Sequence, residues 1–206
     1  MVARTILTWP NKLLRNKSSS IGKENCDILF RDLLDTLKVN FAIGVAAPQI
    51  NEHRRACLIK GDSIPSFEQE ESLEGCVAFI DPVIEVIDKS QVKSREACLS
   101  VPGLVEVVDR YKGIKVSYTD ISSKRKSVTV FNSEACILQH EIDHLDGVLF
   151  IDRLPPIKKM ILNKKVKKQT LAAKKNTKIS KEKASKLKSA ATRKKNREKR
   201  KKAKRK

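Results

Sequence analysis

The chain predicts an α+β fold, with mostly antiparallel sheets packed around a central helix that carries His140-Glu141-Ile142-Asp143-His144, followed by a basic C-terminal tail. Three observations lead there. An amphipathic helical pattern comes first, then several short strand-like segments, then one strongly apolar helical segment closed by Gly147. The charge is divided. Residues 157–206 hold 24 of the 44 Lys and Arg but 2 of the 24 Asp and Glu, so the formal net charge of +20 is +22 in that segment and −2 before it. The near-neutral residues 1–156 have the size of one domain built on one hydrophobic core, and 157–206 form a separate extension, partly helical or disordered.

Asn25–Phe41 spaces Leu29, Phe30, Leu33, Leu34 and Leu37 along one face of a helix. Ala42–Ile50, AIGVAAPQI, is small and apolar, with one Gly and one Pro. Ala56–Ile59 and Val77–Ile80 read as short strands, and the acidic, turn-rich GDSIPSFEQEESLEG between them reads as an exposed loop. Val83–Ile87 and Leu104–Val108 are further strands. Ile114–Tyr118 and Ser127–Phe131 flank DISSKRK as a hairpin. Ser133-Glu134 suits a helix start and Gly147 a stop, giving a helix over Ser133–Asp146, and Pro155-Pro156 closes the folded part.

Several classes drop out. No run of 18 apolar residues exists to span a membrane. The first twenty residues lack the apolar stretch and small-residue cleavage site of a secretory signal. Five cysteines (Cys26, Cys57, Cys76, Cys98, Cys136), odd in number and without a CxxC, suit reduced thiols in a cytoplasmic protein.

The chemistry is concentrated in the H-E-x-x-H at 140–144, which holds two of the three histidines. Residues four apart on a helix differ by about 40° in azimuth and about 6 Å along the axis, so His140 and His144 can meet one cation. Glu141, next to the first ligand, can reach a water at that cation. A catalytic metal needs a third protein ligand and an open position. No His follows His144, so the third ligand is expected upstream, among the cysteines, His53 or a carboxylate. Cys98 stands out, at a strand end leading into a turn (Glu96-Ala97-Cys98-Leu99-Ser100). Cys26, Cys57 and Cys136 read as small buried hydrophobes, and Cys76 opens a strand.

AIGVAAPQI, EACLSVPG and QHEIDHLDG stand in the order and approximate spacing of the three signature motifs of peptide deformylases, and ILTWPNKLLR and FIDPVI resemble that family's opening segment and central strand. The resemblance covers Met1–Leu154. It implies a hydrolase that removes the formyl group from the N-terminal formyl-methionine of nascent polypeptides. It also implies Cys98, His140 and His144 as metal ligands and Glu141 as general base and then acid. Gln49 and the Leu99 N–H become oxyanion donors, and Ile43 and Gly44 lie along the substrate methionine. The implied metal is Fe(II), with zinc, nickel or cobalt able to replace it. The chain is expected to act as a monomer, a state no sequence motif fixes. Two positions depart from the family pattern: Ala42 and Ala97 stand where Gly is usual, which bears on groove width. Asp143 and Arg110 match positions expected to form a structural ion pair, while Glu96 reads either as a partner orienting a ligand or as a strand-end acid. Two other readings stay open: an H-E-x-x-H metallopeptidase, and a nucleic-acid-binding protein whose deformylase-like domain is inactive.

In the tail, Ile157, Met160, Ile161 and Val166 keep near-helical spacing, and the rest is too poor in large apolar residues to bury a core. Its charge suits electrostatic attachment to polyphosphate, with ribosomal RNA the expected partner, and the lack of aromatics argues against sequence-specific reading.

Overall fold

The computed structural model describes residues 3–22, 24–67, 72–162 and 164. The chain divides into two units, Met1–Pro155 and Pro156–Lys206. Of the second, the described part is helical over 156–162, and the other expectations for the tail lie outside the described residues.

The first helix, Asp27–Val39 (α1), starts where the Asn25 side chain accepts the Asp27 N–H at 2.9 Å. It buries the five expected apolar residues, Leu29, Phe30, Leu33, Leu34 and Leu37. It ends as Ala42 N–H reaches back to the Leu37 carbonyl around Phe41, whose φ is 51°. AIGVAAPQI then splits into a short strand, Gly44–Ala46 (β1), and a 3-10 turn, Ala47–Ile50.

Five more strands follow: Ala56–Lys60 (β2), Ser72–Leu73 (β3), Cys76–Ala97 (β4), Val105–Thr119 (β5) and Arg125–Phe131 (β6). They form one sheet in the order β1-β2-β4-β5-β6, antiparallel at every step, with β3 pairing β4. The expected hairpin is present, with Gly113 opposite Phe131 through Thr119 opposite Arg125. Two pairs of separately read segments are each one strand. Val77–Ile80 and Val83–Ile87 join in β4 because Pro82 sits at a register shift between Ile80 and Val83, where no ladder donor is required. There Asp81 takes a φ of 48°, and its carboxylate accepts from Ser20 Oγ at 2.8 Å and from the Ile21 and Gly22 N–H groups at 2.9 Å.

The segment expected as an exposed loop is a partial exception. Two 3-10 turns, Gly61–Ser63 and Pro65–Phe67, bring Ile64 and Phe67 into the core. The Phe67 ring meets that of Phe79 edge-on at 5.3 Å, and Phe79 lies 4.7 Å from Tyr118. Residues 68–71 lie outside the described ones.

The second helix, Asn132–Leu145 (α2), buries Ala135, Leu138, Ile142 and Leu145 against Ile114, Val116 and Val130 of the sheet. Gly147 ends it, at a φ of 72°, while Val148 N–H returns to the Asp143 carbonyl at 2.9 Å. A Cβ on Gly147 would stand 2.4 Å from the Arg15 carbonyl oxygen. Gly147→Ala therefore adds left-handed strain and a backbone clash, together about 3 kcal/mol. Thermal unfolding should show a fall in Tm on the order of 10 °C.

Candidate metal centre

Cys98 is the first residue beyond β4, in a turn that Val101 N–H closes on the Cys98 carbonyl at 3.0 Å. His140 and His144 stand one turn apart on α2, their ring centroids 5.1 Å apart. Cys98 Sγ lies 3.2 Å from His144 Nε2, and the donor atoms of all three residues lie within 4.8 Å of one another. A sulfur and two imidazole nitrogens this close can share a cation at ordinary bond lengths of about 2.0–2.3 Å. Soft thiolate with imidazole suits first-row divalent metals.

The other upstream candidates fall away. Burial raises the thiol pKa of Cys26, Cys76 and Cys136, and raises that of Cys57 well above its ordinary value, which disfavours the thiolate a metal needs. His53 stands outside the group, its two ring nitrogens buried without partners among the described residues.

Glu96, one residue before the end of β4, is the partner that orients His140. Its Oε2 lies 2.8 Å from His140 Nδ1, so the imidazole N–H donates to the carboxylate and Nε2 is left for a ligand. The same carboxylate accepts from Arg110 Nε and Nη2 at 2.7 and 2.8 Å. Arg110 is 1% exposed on β5. Its Nη1 reaches Asp143 on α2 at 2.5 Å, which makes the anticipated ion pair. Arg153 then clamps the same Asp143, donating Nε to Oδ2 at 2.6 Å and Nη2 to Oδ1 at 2.5 Å. Sequence reading missed Arg153, which has no local signal beyond its charge.

Glu141 is buried directly over Gly44, and its Oε2 has no partner among the described residues. A Cβ at Gly44 would stand 2.6 Å from Glu141 Oε1, so the glycine is required by the carboxylate it faces. Gln49 is buried, with its Oε1 accepting the Ala46 N–H at 2.8 Å. Its Nε2 lies 3.5 Å from Cys98 Sγ and 3.2 Å from Ser100 Oγ. Ser100, fully buried within EACLSVPG, was given no role by the sequence reading. The Leu99 N–H has no acceptor among the described residues. Gly44, Ile43, Gln49, Leu99 and Glu141 all line one cavity of about 1040 Å³ with Cys98 and His140.

The electrostatics sort these groups. Burial alone would raise the Glu96 carboxyl, but hydrogen bonds from Arg110 and His140 bring it down to about 2. Burial would lower His140, yet its contacts with Cys98 and Glu96 raise it to about 10. A cation bound by His140 would displace that proton. His144, by burial and by the charge on His140, is held well below the ordinary imidazole range and stays neutral. Burial lifts Glu141 to about 7, against the opposing pull of His140. A carboxyl near 7 can both accept and return a proton at neutral pH.

A family model described as polypeptide deformylase matches residues 3–160. The chain belongs to the peptide deformylase family. It is 38% identical over 170 residues to the peptide deformylase of Desulfotalea psychrophila, covering 82% of this chain and 97% of that one. It is 33% identical over 164 residues to that of Orientia tsutsugamushi, covering 75% and 88%. Among solved structures, the Ehrlichia chaffeensis peptide deformylase in complex with actinonin superposes with a TM-score of 0.70 at 33% identity, covering 82% and 98% of the two chains. The Legionella pneumophila enzyme gives 0.68 at 32%, covering 84% and 98%. Peptide deformylases are metal-dependent enzymes that remove the formyl group from the N-terminus of nascent formyl-methionyl peptides. Of the two departures in this deformylase, Ala42 packs against the core beside α1, while Ala97 is an exposed residue of the cavity wall.

Gly44→Ala should displace the Glu141 carboxylate and cut kcat by about 10² or more while bound metal, measured by elemental analysis, is retained. A second outcome concerns stability. Because folding raises the Glu141 pKa from 4.5 to about 7, the native state binds the extra proton in that window and loses stability as pH rises through it. The deficit is complete above about pH 7. In the metal-free protein, Glu141→Gln should therefore be more stable than the parent at pH 8, by on the order of 3 kcal/mol, with the difference shrinking toward pH 4.5.

Proposed function

We propose that Cys98, His140 and His144 hold one divalent cation, Fe(II) in the cell with zinc, nickel or cobalt able to substitute. Around it the chain hydrolyses the formyl amide of formyl-methionyl peptides. The reading rests on one observation above the others: the Cys98 sulfur lies 3.2 Å from His144 Nε2 in a cavity that also receives the buried Glu141 carboxylate. When bound, the cation supplies Lewis acidity to the formyl oxygen and to water.

The residues do the rest. Glu141 takes a proton from the attacking water as its oxygen bonds to the formyl carbon. It returns that proton to the methionine nitrogen as the C–N bond breaks, so formate and a free amine leave. Gln49 Nε2, fixed by Ala46 and Ser100, and the Leu99 N–H face the oxygen on which negative charge develops. Glu96 and Arg110 keep His140 turned toward its ligand position. Ile43 and Gly44 line the methionine.

We assign catalysis to residues 1–156, acting as a cytoplasmic monomer, and give 157–206 a separate task. With a net charge of +22, that segment would hold the enzyme to ribosomal RNA, where its substrate emerges.

Glu141→Ala should lower formate release from a formyl-Met peptide by ~10³ or more. Comparable turnover in that variant would remove the assignment. Deleting 157–206 should leave turnover on short peptides in place and abolish co-sedimentation with ribosomes. In the full-length chain, co-sedimentation should weaken steeply between about 50 and 200 mM salt. Persistent co-sedimentation of the truncated enzyme would contradict the role given to the tail.

A further inference from the structure

Phe41 is a large aromatic side chain left 88% exposed, in a left-handed conformation (φ 51°) that glycine or asparagine usually fills at a helix end. The turn is a defined one: Phe41 N–H reaches the Lys38 carbonyl at 3.3 Å, Ala42 N–H reaches that of Leu37, and Asn40 Nδ2 donates to the Thr36 carbonyl at 2.8 Å. A bulky residue there carries both a conformational cost and an exposed apolar surface. It also sits on the rim of the cavity that contains Cys98 and Glu141.

The strand beside it gives that position a direction. Strand β1 lies at the edge of the sheet, paired on one side with β2. Followed backward from Gly44, against Glu141, the chain leads out through Ile43 and Ala42 to Phe41. Ala42 turns inward onto the core, while Ile43 is 52% exposed. Ile43 and Phe41 are thus two exposed apolar groups lining the cavity that holds the reaction centre, with Val105 a third.

We infer that Phe41 is a specificity-determining residue: with Ile43 it receives the side chains that follow the formyl-methionine and favours apolar ones there. The inference rests on the deformylase reading, and its occupant is the remainder of the same peptide whose formyl end lies at Glu141. Covering a leucine side chain at this rim contributes enough to change kcat/KM by about tenfold.

The test compares formyl-Met-Leu-Leu-Lys amide with formyl-Met-Ser-Ser-Lys amide on the full-length metal-loaded enzyme and on Phe41→Gly. The parent should favour the Leu-Leu peptide by about tenfold in kcat/KM, expressed in KM. Phe41→Gly should bring the ratio toward one, with the loss falling on KM for the Leu-Leu peptide, and should raise Tm because glycine relieves the left-handed strain. Phe41→Leu should keep most of the preference. Equal rates on the two peptides in the parent, or an unchanged ratio in Phe41→Gly, would overturn the inference and leave the deformylase reading standing. No formate from either peptide would overturn that reading, and the inference with it.

Discussion

Arg110 carries a permanent positive charge in a position closed to solvent, and the arrangement of the metal centre follows from how that charge is matched. A lone buried guanidinium is prohibitively costly, so it must be enclosed by acceptors. Glu96 and Asp143 meet it from two different elements, the end of β4 and the last turn of α2. The consequence is geometric. The strand that delivers Cys98 and the helix that delivers both histidines are bound to the same guanidinium, so sulfur and imidazoles cannot drift apart independently. Glu96 also holds the Nδ1–H of His140, and the same carboxylate therefore fixes the direction in which that ligand points. Arg153 completes the charge balance, supplying a second guanidinium for the second carboxylate.

The centre is stable in its surroundings and uncomfortable within. Glu141 is buried without the partners that Glu96 enjoys, and the difference shows in their opposite displacements, to about 7 and about 2. One carboxylate is made permanently ionic for structure, the other is kept able to exchange a proton. Gly44 takes part in this division, because its missing side chain is the space Glu141 occupies. A stronger network around Glu141 would stabilise the protein and cost it the base, a familiar opposition between stability and function.

Much of this was legible in the sequence, and the parts that were not share a cause. The helix carrying His140, Glu141 and His144, the hairpin around DISSKRK and the apolar face of α1 are local patterns, written in residues a few positions apart. Cys98 was legible through its neighbours in the EACLS segment. What escaped depends on long-range contact. Nothing near Gly44 shows that it faces Glu141, 97 positions on, and nothing near Arg153 shows that it closes on Asp143. Strand continuity escaped likewise: Val77–Ile80 and Val83–Ile87 read as separate strands until the register shift that accommodates Pro82 between them is seen. Ile64 and Phe67 lie in an acidic, turn-rich stretch whose composition suggests solvent, yet two 3-10 turns bring both into the core.

The convergence of one thiolate and two imidazoles is open to a direct spectroscopic measurement. Titrating the metal-free protein anaerobically with Co(II) should give a single equivalent of bound metal, visible absorption of a tetrahedral site, and an intense near-ultraviolet sulfur-to-cobalt charge-transfer band. That band should disappear in Cys98→Ser and persist in Cys136→Ser, whose thiol lines the same cavity. A charge-transfer band that survives loss of Cys98, or an octahedral spectrum without one in the parent, would contradict the arrangement.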